Sequence, residues 1–223
     1  MTVNRPFSPG MEVANLHGAK GTIGILVSMA GSQRTFALSC SHVLARFGSS
    51  VSNPDEEIIV QPSAGAASVS ERTIGKLSAV FSRKQAFDAQ REDVALAELT
   101  TDKWLPEIPE IGQPSGWQRH FQNGSRVWRY GAVSRRQSGT IIRLHPETIS
   151  LDVIGSNAPA VSYRGLFSYS ITASPGDSGA AVLLENTQEV IGLHIGGNPA
   201  SGIGYFFPLE PVFRKYHLDL VKK

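Results

Sequence analysis

Disulfide bridges are excluded within this chain, because Cys40 is the only cysteine among 223 residues. Secreted proteins often rely on such bridges, so their absence favours a reducing compartment. An apolar leader segment is also missing. The stretch from Met1 to Lys20 reads MTVNRPFSPGMEVANLHGAK and offers no hydrophobic core of the kind a signal peptide needs. The expectation is a cytoplasmic protein, or a domain of a larger intracellular one. No run approaches the roughly 18 apolar residues of a membrane span, so no membrane partner is expected. Excess charge is lacking too: 21 basic and 19 acidic residues leave a formal net charge of +2. The densest basic stretch, Arg126, Arg129, Arg135, Arg136 and Arg143, is read as strand faces and loops, so no nucleic-acid partner is expected. Solenoid repeats and low-complexity tracts are absent. No Cys/His pair has the spacing of a zinc site, so neither a metal nor a cofactor is expected.

What remains is an ordinary globular composition, 41% hydrophobic and 18% charged. Short apolar or alternating runs recur between Gly, Ser, Asn and Pro punctuation, which predicts an all-β chain. The first half offers strands over Thr22–Met29, Thr35–Cys40, Glu57–Gln61, Thr73–Phe81 and Val94–Leu99. The second half offers Arg126–Ala132, Gly139–Leu144, Thr148–Ile154, Leu166–Ile171, Ala180–Leu184, Val190–Ile195 and Ile203–Phe207. A polar stretch rich in Pro, Gly and Gln lies between them, from about Pro106 to Gly124. After Pro208, Leu209, Val212, Phe213 and Tyr216 recur at three- and four-residue spacing and predict a closing amphipathic helix. The length suits one large all-β domain or two small barrels.

Three segments carry chemistry. Gly176-Asp177-Ser178-Gly179 follows Pro175 and precedes an apolar run. A glycine at 176 allows a sharp turn in which its N–H and that of Ser178 converge on one spot, as an oxyanion requires. By itself the tetrapeptide is also a plausible surface turn. Phe36-Ala-Leu-Ser-Cys-Ser-His-Val-Leu44 is an apolar strand ending in Ser-His, which can present the His42 imidazole to a cleft. Arg91-Glu-Asp-Val-Ala-Leu-Ala-Glu-Leu99 sets Asp93 just ahead of another strand. His42 precedes Asp93 by 51 residues and Asp93 precedes Ser178 by 85.

That order and those segments resemble the chymotrypsin-like (trypsin-like) serine peptidase family. The resemblance runs from about Gly21 to Tyr216 through GTIGILV, TFALSCSHVL, DVALAEL, VWRYGAVS, PGDSGAAV and IGLHIGG. It implies two six-stranded antiparallel Greek-key β-barrels with a C-terminal α-helix. The barrels would occupy 1–105 and 125–208, with a linker over 106–124 and the helix and tail over 209–223. It further implies that Ser178 attacks the scissile carbonyl, His42 shuttles its proton and Asp93 orients the imidazole. The N–H groups of Gly176 and Ser178 would form the oxyanion hole. A polypeptide substrate would lie extended along Ile195, Gly196 and Gly197.

The chain also departs from the family. No apolar activation sequence follows a basic cleavage site, so Asp177 is expected to find an internal partner, with Arg135, Arg136 or Arg164 as candidates. His194 sits in a strand similar to that of picornaviral main proteases and, more loosely, of glutamyl endopeptidases. There the histidine binds a P1 Gln or Glu side chain. The competing reading makes His194 a packed core histidine. Thr172 could add a hydroxyl, and no acid occupies Ser170–Pro175, which argues against Arg or Lys at P1. Cys40 is expected to pack as a small hydrophobe rather than to act as a nucleophile. An α/β-hydrolase is rejected, since only 45 residues follow Ser178, too few for the acid and histidine of that fold. A catalytically silent peptide-binding or scaffold module is the alternative function, and a regulatory partner or fused sensor domain the expected means of control.

Overall fold

The computed structural model describes residues 3, 5–45, 58–65, 67–80, 93–151 and 161–222. The ends of three expected strands, at Glu57, Phe81 and 152–154, lie outside these residues. The first half builds β1 (Glu12–Asn15), β2 (Lys20–Thr22), β3 (Ile25–Met29), β4 (Thr35–Ser39), β5 (Ile58–Val60), β6 (Thr73–Val80) and β7 (Ala95–Leu99). Single-turn helices α1 (Ser41–Leu44) and α2 (Val69–Arg72) interrupt them. The second half builds β8 (Gly116–Trp117), β9 (Arg126–Gly131), β10 (Arg135–Leu151), β11 (Val161–Tyr169), β12 (Ala181–Leu184), β13 (Glu189–Asn198) and β14 (Ile203–Pro208). Helix α3 (Glu210–Tyr216) and strand β15 (Leu218–Leu220) close the chain.

The strands form two sheets. The first runs β15-β3-β4-β7-β6-β5-β1-β2, and the second runs β12-β9-β10-β11-β14-β13-β8. Because β12 also pairs with β13, six antiparallel strands of the second sheet close into a barrel. The expected all-β architecture of two β-layers, one in each half, with a C-terminal helix is the one observed, although the first sheet has eight strands where six were expected. One hydrophobic cluster runs through both halves, joining Ile25 and Leu38 of the first sheet to Leu183 and Leu193 of the second.

Several elements differ from the sequence reading, each for a local reason. The strand expected over Thr22–Met29 breaks between β2 and β3. A Cβ at Gly24 would lie 2.4 Å from the Gly179 carbonyl and 2.9 Å from that of Leu38, so only bare backbone passes there. The two strands expected over Gly139–Leu144 and Thr148–Ile154 are joined in one long strand, β10. Pro146 is tolerated because the β10–β11 register jumps from Arg143 to Glu147, leaving no ladder bond for its missing N–H to make. The stretch from Pro106 to Gly124 contains β8, which pairs in parallel with Glu189 and Val190. The helical spacing of Val212, Phe213 and Tyr216 does produce α3, with Val212 and Phe213 buried. His217 then turns left-handed at φ 51°, and β15 returns to pair with β3.

Candidate active site

His42 and Asp93 are brought together by strand register. β4 and β7 are antiparallel with Ser39 opposite Ala95, and continuing that register sets residue 41 opposite residue 93. β4 ends at Ser39 and the chain turns through α1, which buries Ser41, Val43 and Leu44. The His42 side chain keeps 20% of its exposure, whereas that of Asp93 has 1%. A carboxylate so buried needs donors. The His42 Nδ1–H donates to Asp93 Oδ2, and the Ser41 hydroxyl donates to Oδ1. The His42 backbone N–H reaches the same Oδ1 at 3.0 Å.

Burial alone would depress the His42 pKa, but the Asp93 charge and hydrogen bond outweigh it and hold the imidazole above its usual value. Burial alone would raise Asp93. Its charge interaction with His42 and the donors of His42 and Ser41 instead hold it below the ordinary carboxylate value.

Ser178 reaches the same corner from the second sheet. Gly176 (φ 103°) and Gly179 (φ 94°) are both left-handed, which folds the loop tightly around Asp177 and Ser178. The Thr22 N–H donates to the Ser178 carbonyl at 2.8 Å, and the Thr22 hydroxyl donates to that of Gly176 at 2.8 Å. The Gly179 N–H and the Cys40 thiol both donate to the His194 carbonyl, at 2.8 and 3.3 Å. Gly21 lies between the two halves of the site. A Cβ there would be 2.6 Å from the Ser178 carbonyl and 2.4 Å from Cγ2 of Val43, the neighbour of His42.

The Ser178 hydroxyl itself donates to the Ile195 carbonyl at 2.8 Å. Among the described residues no hydrogen bond joins Ser178 to His42, so the structure pairs His42 with Asp93 and leaves the Ser178 hydroxyl on the Ile195 carbonyl. Serine moves between its staggered rotamers on a picosecond-to-nanosecond scale when exposed. Among the described residues the N–H groups of Gly176 and Ser178 have no acceptor. Those of Asp177, Gly179 and Ala180 each have one.

Asp177 has an internal partner, and it is Arg129. None of Arg135, Arg136 and Arg164 takes that place. Arg129 Nη2 donates to Asp177 Oδ2 at 3.0 Å, with both side chains fully buried. Asp177 Oδ1 accepts the backbone N–H groups of Val133 and Ser134 at 3.1 and 3.0 Å. Arg129 Nη2 also donates to the Ser134 hydroxyl and the Thr172 carbonyl. Its Nη1 reaches the Tyr169 hydroxyl at 3.3 Å and His194 Nε2 at 3.0 Å. Its Nε is buried without a partner among the described residues.

His194 is therefore a fully buried histidine held by the side chains of Arg129 and Tyr169 and by the Tyr205 backbone. A guanidinium only donates, so Nε2 accepts, and the proton on Nδ1 goes to the Tyr169 hydroxyl 2.8 Å away. Burial and the Arg129 charge push the His194 pKa well below its usual value. Thr172 is exposed on a segment that faces β13 closely: a Cβ on Gly197 would lie 2.9 Å from that of Ala173. Ile195 is buried, and Gly196 and Gly197 are half-buried on that strand.

Arg129, Tyr169 and Ser41 escaped the sequence reading as site residues. Arg129 carried one signal, a basic residue in an otherwise apolar strand. The ligand atoms of Cys40, His42 and Asp93 fall within 4.8 Å of one another. That closeness is the imidazole–carboxylate bond with a buried thiol beside it, and we do not assign it as a metal site. Cys40 is fully buried, as expected for a small hydrophobe. Two surface hollows around Ser125, Asn186 and Gln118 share no residue with this site.

Comparison with curated protein sequences finds no match. Solved structures similar over nearly the whole chain include Protease A of Thermobifida fusca, at 21% identity and TM-score 0.69, covering 97% of this chain and 99% of that one. A homologue of alpha-lytic protease, N4, shares 19% identity at TM-score 0.67, with 96% and 99% covered. A glutamic acid-specific serine protease, described as using a histidine triad in substrate binding, shares 15% at TM-score 0.65, with 96% and 100% covered. These likenesses establish the fold. The trypsin family model matches residues 29–214, most of the chain. The chain belongs to the trypsin family and is a serine-type endopeptidase.

Proposed function

We propose that this endopeptidase cleaves polypeptides through an acyl-enzyme on Ser178, with His42 as general base and acid and Asp93 as its anchor. The observation that carries the reading is that, among the described residues, the N–H groups of Gly176 and Ser178 have no acceptor, on a loop that glycines at 176 and 179 fold tightly and that packs against residues 21 and 22 next to the turn carrying His42. Such donors stabilise the charge that develops on a tetrahedral oxyanion. On rotating away from the Ile195 carbonyl, the Ser178 hydroxyl gives its proton to His42 Nε2. The resulting imidazolium returns it to the leaving amine. The backbone of Ile195, Gly196 and Gly197 pairs with the extended substrate.

The P1 preference proposed is Glu or Gln. It is supported by the lack of an acidic residue over Ser170–Pro175, the exposed Thr172 hydroxyl and the Arg129 cation behind His194. The glutamic acid-specific relative points the same way. For His194 to donate to P1, its proton must move to Nε2 while the Tyr169 hydroxyl donates to Nδ1. Arg129 then keeps Asp177, Ser134 and Thr172. The swap turns the Arg129 Nη1 contact from a hydrogen bond into two opposed donors, so the ring must tilt away from Arg129 toward P1, where its neutral Nε2–H can serve an amide or a carboxylate oxygen.

A peptide-library cleavage profile of wild type, Ser178→Ala and His194→Ala tests both levels. Cleavage after Glu or Gln that vanishes in the first variant and loses its preference in the second is expected. Equal cleavage by Ser178→Ala would refute the nucleophile. A wild type that binds peptides without cleaving them would favour a silent binding module.

A further inference from the structure

Asp93 lies under an unusual requirement. It is a 1% exposed carboxylate, and the residue whose carbonyl faces Ser178 from β13, Ile195, brings no polar side chain to help it. Among the described residues, the oxygen and nitrogen donors to Asp93 all come from residues 41 and 42, with the weakly donating Cys40 thiol also against the carboxylate. One of those donors, the Ser41 hydroxyl, belongs to neither nucleophile nor base. It is itself buried at 6% exposure and held in the first turn of α1, so it has little freedom to point elsewhere.

We propose that Ser41 is a positioning residue for the reaction: by donating to Asp93 Oδ1 it orients the carboxylate so that Oδ2 meets His42 Nδ1 and sets the basicity of that imidazole. This rests on the His42–Asp93–Ser178 reading above. The chemistry is differential. When His42 is neutral, Asp93 carries an uncompensated negative charge and the Ser41 bond is at its strongest. When His42 is protonated, the imidazolium shares that charge and the bond matters less. Ser41 therefore favours the neutral imidazole, the form that accepts the Ser178 proton. Without it, Oδ1 keeps only the backbone N–H of residue 42, the carboxylate can rotate, and His42 becomes harder to deprotonate.

Other titratable groups that act on this pair are Cys40 and Tyr163 beside Asp93, and His194 beside His42. Burial and the Asp93 charge push the thiol and the phenol upward, and burial and Arg129 push His194 down. None of the three changes charge where His42 titrates. A shift in that titration therefore reports on Asp93 and its donors.

The test compares wild type, Ser41→Ala, Ser41→Thr and Ser178→Ala as full chains. The first readout is the pH dependence of acylation by p-nitrophenyl acetate, a probe that needs no P1 pocket. The second is the His42 titration by NMR, which needs no turnover. In Ser41→Ala, acylation near neutral pH is expected to fall about tenfold, the size of one lost charge-assisted bond. The His42 midpoint is expected to rise by roughly half to one unit. Ser41→Thr, which keeps the hydroxyl, should recover both. An unmoved midpoint in Ser41→Ala overturns the assignment, as does a Ser41→Thr variant as impaired as the alanine. If the midpoint moves but wild type acylates no faster than Ser178→Ala, Ser41 does tune His42 and the acyl-enzyme reading is the part that fails.

Discussion

Replacing Arg129 by methionine probes the buried junction that ties the Asp177–Ser178 loop to His194 of β13. The guanidinium makes five hydrogen bonds between 2.9 and 3.3 Å, to Tyr169, His194, Ser134, Thr172 and Asp177. Methionine fills much of the same volume but donates to none of them. The dominant cost is the Asp177 carboxylate, fully buried and left with only the Val133 and Ser134 N–H groups. Breaking a buried ion pair from one side typically costs about 3–5 kcal/mol. For a chain of this length each kcal/mol lowers Tm by roughly 2–4 °C, so a fall of about 10 °C is expected. The double variant Arg129→Met with Asp177→Asn should lose much less than the sum of the singles, because it leaves no unpaired charge. Calorimetry or urea unfolding on a Ser178→Ala background measures this without self-cleavage. A loss below about 1 kcal/mol for Arg129→Met, or additive losses in the double variant, would refute the account.

Three further outcomes follow from the same geometry. The raised His42 pKa means that activity should climb with pH through a midpoint above the unperturbed value of about 6.5, measured as kcat/KM against pH. In the stability balance, His42 contributes most below its unfolded value and its contribution is lost as pH rises through the folded one. The lowered Asp93 contributes above its unfolded value and loses its effect as pH falls through the folded one, which stability curves across acid and neutral pH will separate. Gly24→Ala should cost several kcal/mol, about 2–4, and reduce labelling of Ser178 by a fluorophosphonate, since its Cβ would press on the Gly179 and Leu38 carbonyls. Wild-type labelling in that variant would mean that the loop tolerates displacement.

Much of this was legible before any coordinates. The strand pattern followed from apolar runs bounded by turn residues, and Val212, Phe213 and Tyr216 marked α3 by their spacing. His42, Asp93 and Ser178 stood out as candidates because each stands at the border of an apolar strand, in an order the family shares. β15 could not be read, since three residues carry no period and its partner β3 lies about 190 residues away in sequence. The strand expected to run unbroken from Thr22 failed at Gly24, because the crossing segment that forbids a side chain there comes from residue 179.

The partner of Asp177 marks the same boundary. Charge alone required a buried carboxylate to find a cation, and the sequence offered several arginines in the second half. Local pattern determined which residues form strands, which glycines turn the Ser178 loop and which side chains can titrate or donate. Which arginine faces inward is not local: β9 alternates its faces, and only closure of the barrel through β12 and β13 turns Arg129 toward Asp177. Pairing of β4 with β7 likewise decided that a serine next to the histidine would reach Asp93. Residue chemistry and periodicity are written along the chain, whereas register and closure arise only when distant strands meet.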